Sequence, residues 1–394
     1  MNKIKNKIPI KSKSIEIEKN ESGYLIYDTY CNRHIQLNDL SYQVFLLING
    51  QNNLHEIQYL LNNKGLEIKL KDLADLIFNR FGKCGIVVTE NVQKSTIPNY
   101  LKLSFTLISE NMVNKISNNL VFLFKNSIFY SLLIISLFII LIGIYFNFSS
   151  LVIMFDELYL PEVIFYLFLS GFFLFFHELG HSSACCNFGV RSGFIGFGFY
   201  LFRPVMFTDV SRIWKLNIQK RIIVNLAGIY FDFLVSAFLM ILYFFSSINF
   251  FLLLGITIFS GSIVNLNPFL RYDGYWILSD LVKIPNLKNK SDLILIDVYK
   301  KIINGNKVTF TKSKTFLFIY GIISNFFIFI FLFFFLFNDP FGILYFPIDF
   351  YRYSINVFDN KIELKMNQFS QFVLPAIFYL ILFKLIWAKF KTTK

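Results

Sequence analysis

Six long apolar segments constrain this chain more than any other feature. They cover residues 127–147, 163–187, 222–246, 249–268, 315–337 and 369–389. A helix needs about 20 apolar residues to cross a bilayer, and in lipid only helices and closed barrels satisfy every backbone polar group. With 55% hydrophobic residues and 52 Phe among 394 residues, the composition is typical of a polytopic membrane protein. We predict a mostly α-helical transmembrane bundle of about six spans.

Residues 1–115 differ from the rest, because no apolar run there is long enough to span a bilayer. Strand-like pieces, GYLIYDTY and HIQL, come before several segments with helical periodicity. This order predicts a small α+β, winged-helix-like domain, followed by a membrane domain over residues 116–394. The start of the chain, MNKIKNKIPIKSKSIEIEKN, has no apolar core, so we expect no cleavable signal peptide.

Basic residues are distributed unevenly among the connections between the apolar segments. The 148–162 connection contains acidic residues and neither Lys nor Arg, whereas 188–221 and 269–314 are rich in Lys and Arg. The positive-inside rule places basic connections in the cytoplasm. We therefore predict a multi-pass protein of the bacterial cell membrane, with both termini cytoplasmic and residues 338–368 outside. Basic cytoplasmic connections also account for the net charge of +13 without a nucleic-acid partner.

The second apolar segment contains the sequence HELGH, residues 177–181. His177 and His181 lie at positions i and i+4, so on a helix both side chains share one face and can bind one metal ion. Glu178 lies beside them and can act as a general base. This is the HExxH arrangement of zinc hydrolases. Ionisable residues within a membrane helix usually mark function, so the motif predicts one catalytic Zn²⁺ ion.

A catalytic zinc site needs a third protein ligand. His34 and His55 belong to the N-terminal domain, so a carboxylate near the membrane is expected instead. The candidates are Asp209, Asp232 and Asp273. The predicted topology favours Asp273, because Pro268 can end the preceding helix and turn the chain back at the depth of the histidines. Asp232 lies near the inner end of its helix, so depth does not exclude it.

These motifs together resemble the site-2 protease class of intramembrane zinc metalloproteases. HELGH in a membrane helix is followed by NPFLRYDG before Tyr-Trp, and the segment RPVMFTDVSRIWKLNIQKRIIVNLAG is similar to YydH-type peptide zinc metalloproteases. The resemblance covers about residues 160–280, with Tyr272 where the family usually has leucine. It implies His177, His181 and Asp273 as the zinc ligands and Glu178 as the residue that activates water.

Two further features near the motif are candidates for binding substrate. Asn267 or Asn265 could donate a hydrogen bond to the substrate backbone or to an oxyanion, with a helix-end cap as the alternative role; we select Asn267 as the substrate-binding candidate. The Gly- and Phe-rich sequence over 189–207 predicts a short strand or hairpin. Such a hairpin could accept an extended substrate as an added strand, or it could be a simple connection.

The N-terminal sequence IQLNDLSYQVFLLINGQNNLHEIQYLL resembles PqqD-like domains, over about residues 23–90. The matching features are a Leu-Asn entry, an apolar helix, a Gly-containing turn and a helix that begins near HEI. Domains of this family bind the leader peptides of ribosomally made, modified peptides. The resemblance therefore implies a leader-peptide partner, and an unrelated small winged-helix-like domain is the alternative.

The resulting hypothesis is a zinc-dependent metalloendopeptidase that matures or exports a bacteriocin-like, ribosomally made peptide. The expected partners are a peptide or membrane-protein substrate, a leader peptide and membrane lipid. Two alternatives remain: site-2-type regulated proteolysis of a membrane-bound regulator, and an inactive relative that serves as a peptide transporter or immunity protein.

Overall fold

The structure is a computed structural model. It describes residues 8–12, 15–20, 23–28, 33–88, 101–147, 160–201, 203–337 and 343–359, together with single positions between 372 and 383. The described part is mostly helical, as predicted from the apolar segments. Two three-stranded sheets accompany the helices.

The first sheet lies at the start of the N-terminal domain. Its strands are β1 (Ile15–Asn20), β2 (Gly23–Asp28) and β3 (Arg33–Leu37). They pair antiparallel in the order β1-β2-β3, so β1 and β3 are the edge strands. Ile26 of β2 is fully buried against the helices that follow.

Three helices complete this domain: α1 (Asp39–Leu47), α2 (Leu54–Asn62) and α3 (Leu70–Ala74), which continues as a π-helix over Asp75–Phe81. Asn53 begins α2 with a capping box: its side chain accepts a hydrogen bond from the Glu56 N–H, and the Glu56 carboxylate accepts one from the Asn53 N–H. Phe45 of α1 and Ile57 of α2 share one buried apolar cluster. The strand-then-helix order agrees with an α+β domain, while the winged-helix and PqqD-like assignments stay predictions.

Strand β4 (Lys102–Ile108) and helix α4 (Glu110–Asn118) follow. Strand β4 lies before the predicted boundary at residue 115, and α4 crosses that boundary. Strand β4 pairs with a strand close to residue 200, and α4 packs on the helix that carries the histidines. The boundary itself stays a prediction, and the structure associates residues 101–118 with the membrane helices.

After residue 120, the described residues form five long apolar helices and three further α-helices. The apolar helices are α5 (Asn126–Asn147), α6 (Leu160–Asn187), α7 (Ile218–Ser246), α8 (Asn249–Asn265) and α11 (Lys312–Phe337). The further helices are α9 (Asp273–Leu281), α10 (Leu287–Ile303) and α12 (Phe346–Phe358). Within the described residues, four helices are long and apolar enough to cross a membrane, namely α5, α6, α7 and α11.

Two of the six predicted spans are not among these four helices. Helix α8 has 17 residues and ends at Asn265 rather than at 268, because the chain turns there ahead of Pro268. At about 26 Å, α8 is slightly shorter than a typical hydrocarbon core. The predicted span over 369–389 lies mostly outside the described residues. The short apolar segment over 346–350 forms the first turns of α12.

Helix α7 is the centre of the bundle. It packs against α5, α6, α8 and α9. In its apolar 18-residue stretch 61% is buried, compared with 17–28% in the other candidate spans. Close approach to α6 depends on Gly180, where an added Cβ would lie 2.5 Å from the Ala227 carbonyl oxygen.

The second sheet contains the predicted Gly- and Phe-rich hairpin. Its strands β5 (Ile195–Tyr200) and β6 (Arg203–Thr208) pair antiparallel, and β4 adds to the outer side of β5. The order β4-β5-β6 leaves β6 as an edge strand. A 3-10 helix (Ser211–Lys215) connects β6 to α7 and lies beside β3 of the N-terminal domain.

Candidate metal centre

The two histidines of HELGH meet inside the bundle, one turn apart on α6. Their Nε2 atoms are 3.2 Å apart, and each residue is 6% exposed. Nδ1 of His177 donates to the carboxylate of Asp232 at 2.8 Å, and Nδ1 of His181 donates to the Val224 carbonyl at 2.7 Å. Since Nδ1 carries the proton in both neutral rings, both Nε2 atoms are left as lone-pair donors that point at one position.

Asp273 completes this group from the first position of α9. Its Oδ2 lies 3.1 Å from Nε2 of His177 and 3.4 Å from Nε2 of His181. Around a tetrahedral zinc ion with bonds near 2.0–2.1 Å, ligand atoms stand about 3.3 Å apart. The three observed separations therefore match one face of such a tetrahedron.

The electrostatics of the group also fit a cation. Two imidazole lone pairs and a carboxylate oxygen face one another in a buried position, where their repulsion is poorly screened. Nδ2 of Asn265 offsets part of it by donating to Oδ2 of Asp273 at 2.6 Å, and it lies 3.2 Å from Nε2 of His177. A divalent ion between the three ligand atoms would remove the remaining repulsion, so the donor set fits zinc or a similar metal.

Gly228 of α7 leaves the space that the rings occupy. A Cβ at this position would overlap Nε2 of His177 and would lie 2.6 Å from Nε2 of His181. Every other residue type would thus displace the imidazoles from their meeting point.

Glu178 lies next to the metal group, which is the set formed by His177, His181 and Asp273, and it is 8% exposed. A carboxylate oxygen of Glu178 and a nitrogen of each histidine ring all lie within 4.8 Å of one another. Oε2 of Glu178 accepts a hydrogen bond from the Thr208 hydroxyl at 2.7 Å, at the end of the edge strand β6. This bond fixes the Glu178 carboxylate beside the metal group. The Asp273 carboxylate, in contrast, belongs to the metal group itself.

We expect Thr208→Val to lower any turnover that depends on Glu178 about 10–100-fold, because a hydrogen bond to a charged group contributes about 1.5–3 kcal/mol. Thr208→Ser retains the hydroxyl and is the matched control. Steady-state kinetics and metal content check this prediction. Unchanged turnover in Thr208→Val would show that the hydroxyl does not act through Glu178.

Asp232 and Asp209, the other candidate ligands, occupy different positions. Asp232 contacts Nδ1 of His177, on the side of the ring away from the metal group, and accepts a second bond from Ser262 at 2.8 Å. Asp209 accepts bonds from the backbone and hydroxyl of Ser211. Asp232 thus orients a ring, a common arrangement for metal-bound histidines.

We expect Asp232→Asn to weaken metal binding about 10–100-fold, the usual effect of removing an outer carboxylate partner. Asp209→Asn is the control, since Asp209 also lines the cavity but does not hydrogen-bond His177. Competition with a metal indicator measures both affinities. Equal affinities in the two variants would contradict the role assigned to Asp232.

The turn between α8 and α9 positions Asp273. Hydroxyls of Tyr320 and Ser324 on α11 donate to the carbonyls of Pro268 and Phe269 at 2.9 and 2.8 Å. The Tyr200 hydroxyl accepts the Arg271 N–H at 3.0 Å; burial raises the pKa of this phenol, which keeps it neutral. The turn is therefore fixed by contacts from two sides.

Asn265 and Asn267 take different roles in this turn. Oδ1 of Asn267 accepts the Phe269 N–H at 2.8 Å, which corresponds to the capping alternative. Asn265 contacts the metal group directly and lines the cavity. Substrate binding by Asn267 stays a prediction, and the geometry favours Asn265.

A cavity of about 790 Å³ opens onto the metal group. His177, Glu178, His181 and Asp273 line one part of it, and β6 lines another. The lining also includes polar side chains outside the metal group, namely Arg221, Asn225, Arg271, Asp280, Asn286 and Asn289. The cavity has room for several residues of an extended peptide beside the metal group.

The chain is 32% identical over 105 residues to a protein of Bacillus subtilis (strain 168) named "Putative peptide zinc metalloprotease protein YydH". The match covers 26% of this chain and 41% of that protein, so it spans less than half of the relative. No family model matches the chain. No solved structure matches it either. The similarity supports a metalloprotease relationship at most.

Proposed function

We propose that this protein is an intramembrane zinc endopeptidase. The observation that carries the proposal is the convergence of Nε2 of His177, Nε2 of His181 and Oδ2 of Asp273 within 3.4 Å of one another, beside the buried Glu178. The name of the Bacillus subtilis relative supports the same class of chemistry. The four candidate spanning helices support a site within the membrane.

In the proposed mechanism, His177, His181 and Asp273 hold one Zn²⁺ ion. When bound, the ion polarises the peptide carbonyl and lowers the pKa of water. Glu178, held by Thr208, takes a proton from the attacking water and passes it to the leaving amine. Nδ2 of Asn265 donates a hydrogen bond toward the oxygen of the scissile carbonyl. The burial of these residues excludes bulk water and strengthens each of these interactions.

The substrate would bind in an extended conformation along β6. This strand is an edge of its sheet and lines the cavity, and its last residue contacts Glu178. An added strand gains main-chain hydrogen bonds without requiring one side-chain sequence. Pairing with β6 would bring the scissile bond toward the metal group.

The substrate class that we favour is a ribosomally made, bacteriocin-like peptide. The N-terminal domain has an edge strand, β3, that could pair with a leader peptide. Strand β3 lies beside the 3-10 helix Ser211–Lys215, part of which lines the cavity. A peptide held at β3 would therefore lie near the entrance to the proposed catalytic site.

Hydrolysis of extended peptides by detergent-purified protein tests the proposal. Mass spectrometry of a peptide library should show internal cleavage that 1,10-phenanthroline stops and that the non-chelating 1,7-isomer does not. Equal cleavage with both isomers would rule out a metal-dependent protease. Mass spectrometry of peptides secreted by cells with and without the gene then identifies the natural substrate class: loss of a small processed peptide supports maturation, and loss of a membrane-protein fragment supports regulated proteolysis.

A further inference from the structure

Helices α7 and α9 pack together, and two pairs of positions with the same spacing link them, one directly and one through the histidines of α6. Arg221 and Gly228 are seven residues apart on α7, and Asp273 and Asp280 are seven residues apart on α9. Residues with this spacing lie two turns apart on one face, about 10 Å along the axis. Arg221 pairs with Asp280, and Gly228 faces the histidines that Asp273 contacts. The two helices therefore run antiparallel with matched offsets.

The Arg221–Asp280 pair is buried. Nη2 of Arg221 lies 2.8 Å from Oδ1 of Asp280, and the side chains are 6% and 8% exposed. Nδ2 of Asn225 lies 3.4 Å from the other carboxylate oxygen, and the guanidinium lies over the Trp214 ring at 4.6 Å. Burial raises the pKa of Asp280, and the charge of Arg221 opposes this effect. The negative charge of Asp280 is therefore favoured by the neighbouring Arg221.

A buried ion pair of this kind contributes little net stability. The cost of removing two charges from water offsets their attraction, and apolar replacements of similar volume are often equally stable. Nε of Arg221 also has no hydrogen-bond partner among the described residues, which adds to the cost. What such a pair supplies in the best-attested cases is register, because both charges must remain opposite each other.

Register matters here because α9 is short and begins with a proposed metal ligand. It has nine residues, and a slip of one residue along α7 would move Asp273 by about 1.5 Å. Metal–ligand distances tolerate only about 0.2 Å. Hydrogen bonds from Tyr320, Ser324 and Tyr200 hold the turn before α9, and the Arg221–Asp280 pair holds the last turn of this helix.

We infer that the Arg221–Asp280 pair is a positioning device that sets the register of α9 against α7, so that Asp273 reaches His177 and His181. The inference rests on the proposed metal site. Arg221 and Asp280 are positioning residues, since neither touches the ligand position.

The test replaces the pair by apolar residues, as Arg221→Met together with Asp280→Leu. We expect thermal unfolding close to that of the wild type, Co²⁺ affinity lowered about 10–100-fold, and a changed visible d–d absorption of the Co²⁺ protein. The matched control is Lys301→Met with Asp297→Leu, which removes a pair on α10 that is 34% and 43% exposed. The control should bind Co²⁺ like the wild type.

If the folded double variant has the Co²⁺ affinity and the spectrum of the wild type, the inference is overturned. A raised KM with unchanged metal binding would also overturn it, because the pair would then act in substrate binding. If the apolar double variant does not fold, the charge-exchanged variant Arg221→Glu with Asp280→Lys replaces it in the test. This variant keeps an ion pair and should bind Co²⁺. A folded charge-exchanged variant that does not bind Co²⁺ would contradict the inference. Absence of Co²⁺ binding in the wild type would instead refute the proposed metal site itself.

Discussion

Glu178→Gln is expected to lower turnover about 10²–10⁴-fold, the usual contribution of a general base. Gln has nearly the same shape and can still contact the Thr208 hydroxyl, but it cannot take a proton from water. The metal ligands are unchanged, so metal content should equal that of the wild type. Initial rates of peptide cleavage, together with elemental analysis of the same samples, measure both quantities.

Glu110→Gln is the matched control for this variant. Glu110 is also a partly buried carboxylate, but it pairs with Arg212, with Nη1 of Arg212 2.6 Å from Oε1. Its replacement should leave turnover within a few-fold of the wild type. Full activity in Glu178→Gln would mean either that another base acts or that the protein transports peptides without cutting them.

Gly228→Ala is expected to reduce metal affinity at least about 100-fold, the upper end of the range for residues that support metal ligands. The new methyl group would overlap His177 Nε2 and lie 2.6 Å from His181 Nε2. Because α7 is the central helix, its backbone cannot move away without disturbing its neighbours. Competition with a metal indicator measures the loss.

Gly171→Ala provides the comparison, because an added Cβ at Gly171 would meet nothing within 4 Å. It should bind metal normally, since alanine favours a helix more than glycine does. Normal metal affinity in both alanine variants would mean that the histidines do not meet at Gly228 in the functional protein.

The local part of the candidate site could be predicted from sequence, and the long-range part could be predicted only in outline. The i, i+4 spacing places His177 and His181 together on any helix. Asp273 could be selected over Asp232 only by counting spans, because 96 residues separate it from His177. The contact of Asp232 with the far nitrogen of the ring depends on side-chain direction, which spacing does not give.

Other contributions have no sequence signal that could identify them. Thr208 reaches Glu178 only because β6 folds back along α6, and Gly228 is one of 19 glycines. The pairing of β4 with β5 joins segments about 90 residues apart, and such non-local pairing is not encoded in local periodicity. The length of α8 depends on where the turn to Asp273 begins, so the apolar run over 249–268 predicted a longer helix.

Metal analysis of the purified protein tests the central claim most directly. Wild-type protein, Glu178→Gln, and the pair His177→Asn with His181→Asn should be purified in detergent without added metal and measured by plasma mass spectrometry. We predict about one zinc ion per chain for the first two, as expected for a site with one ion, and none for the double histidine variant. Zinc-free wild-type protein that still cleaves peptides, or equal zinc in all three samples, would contradict the account.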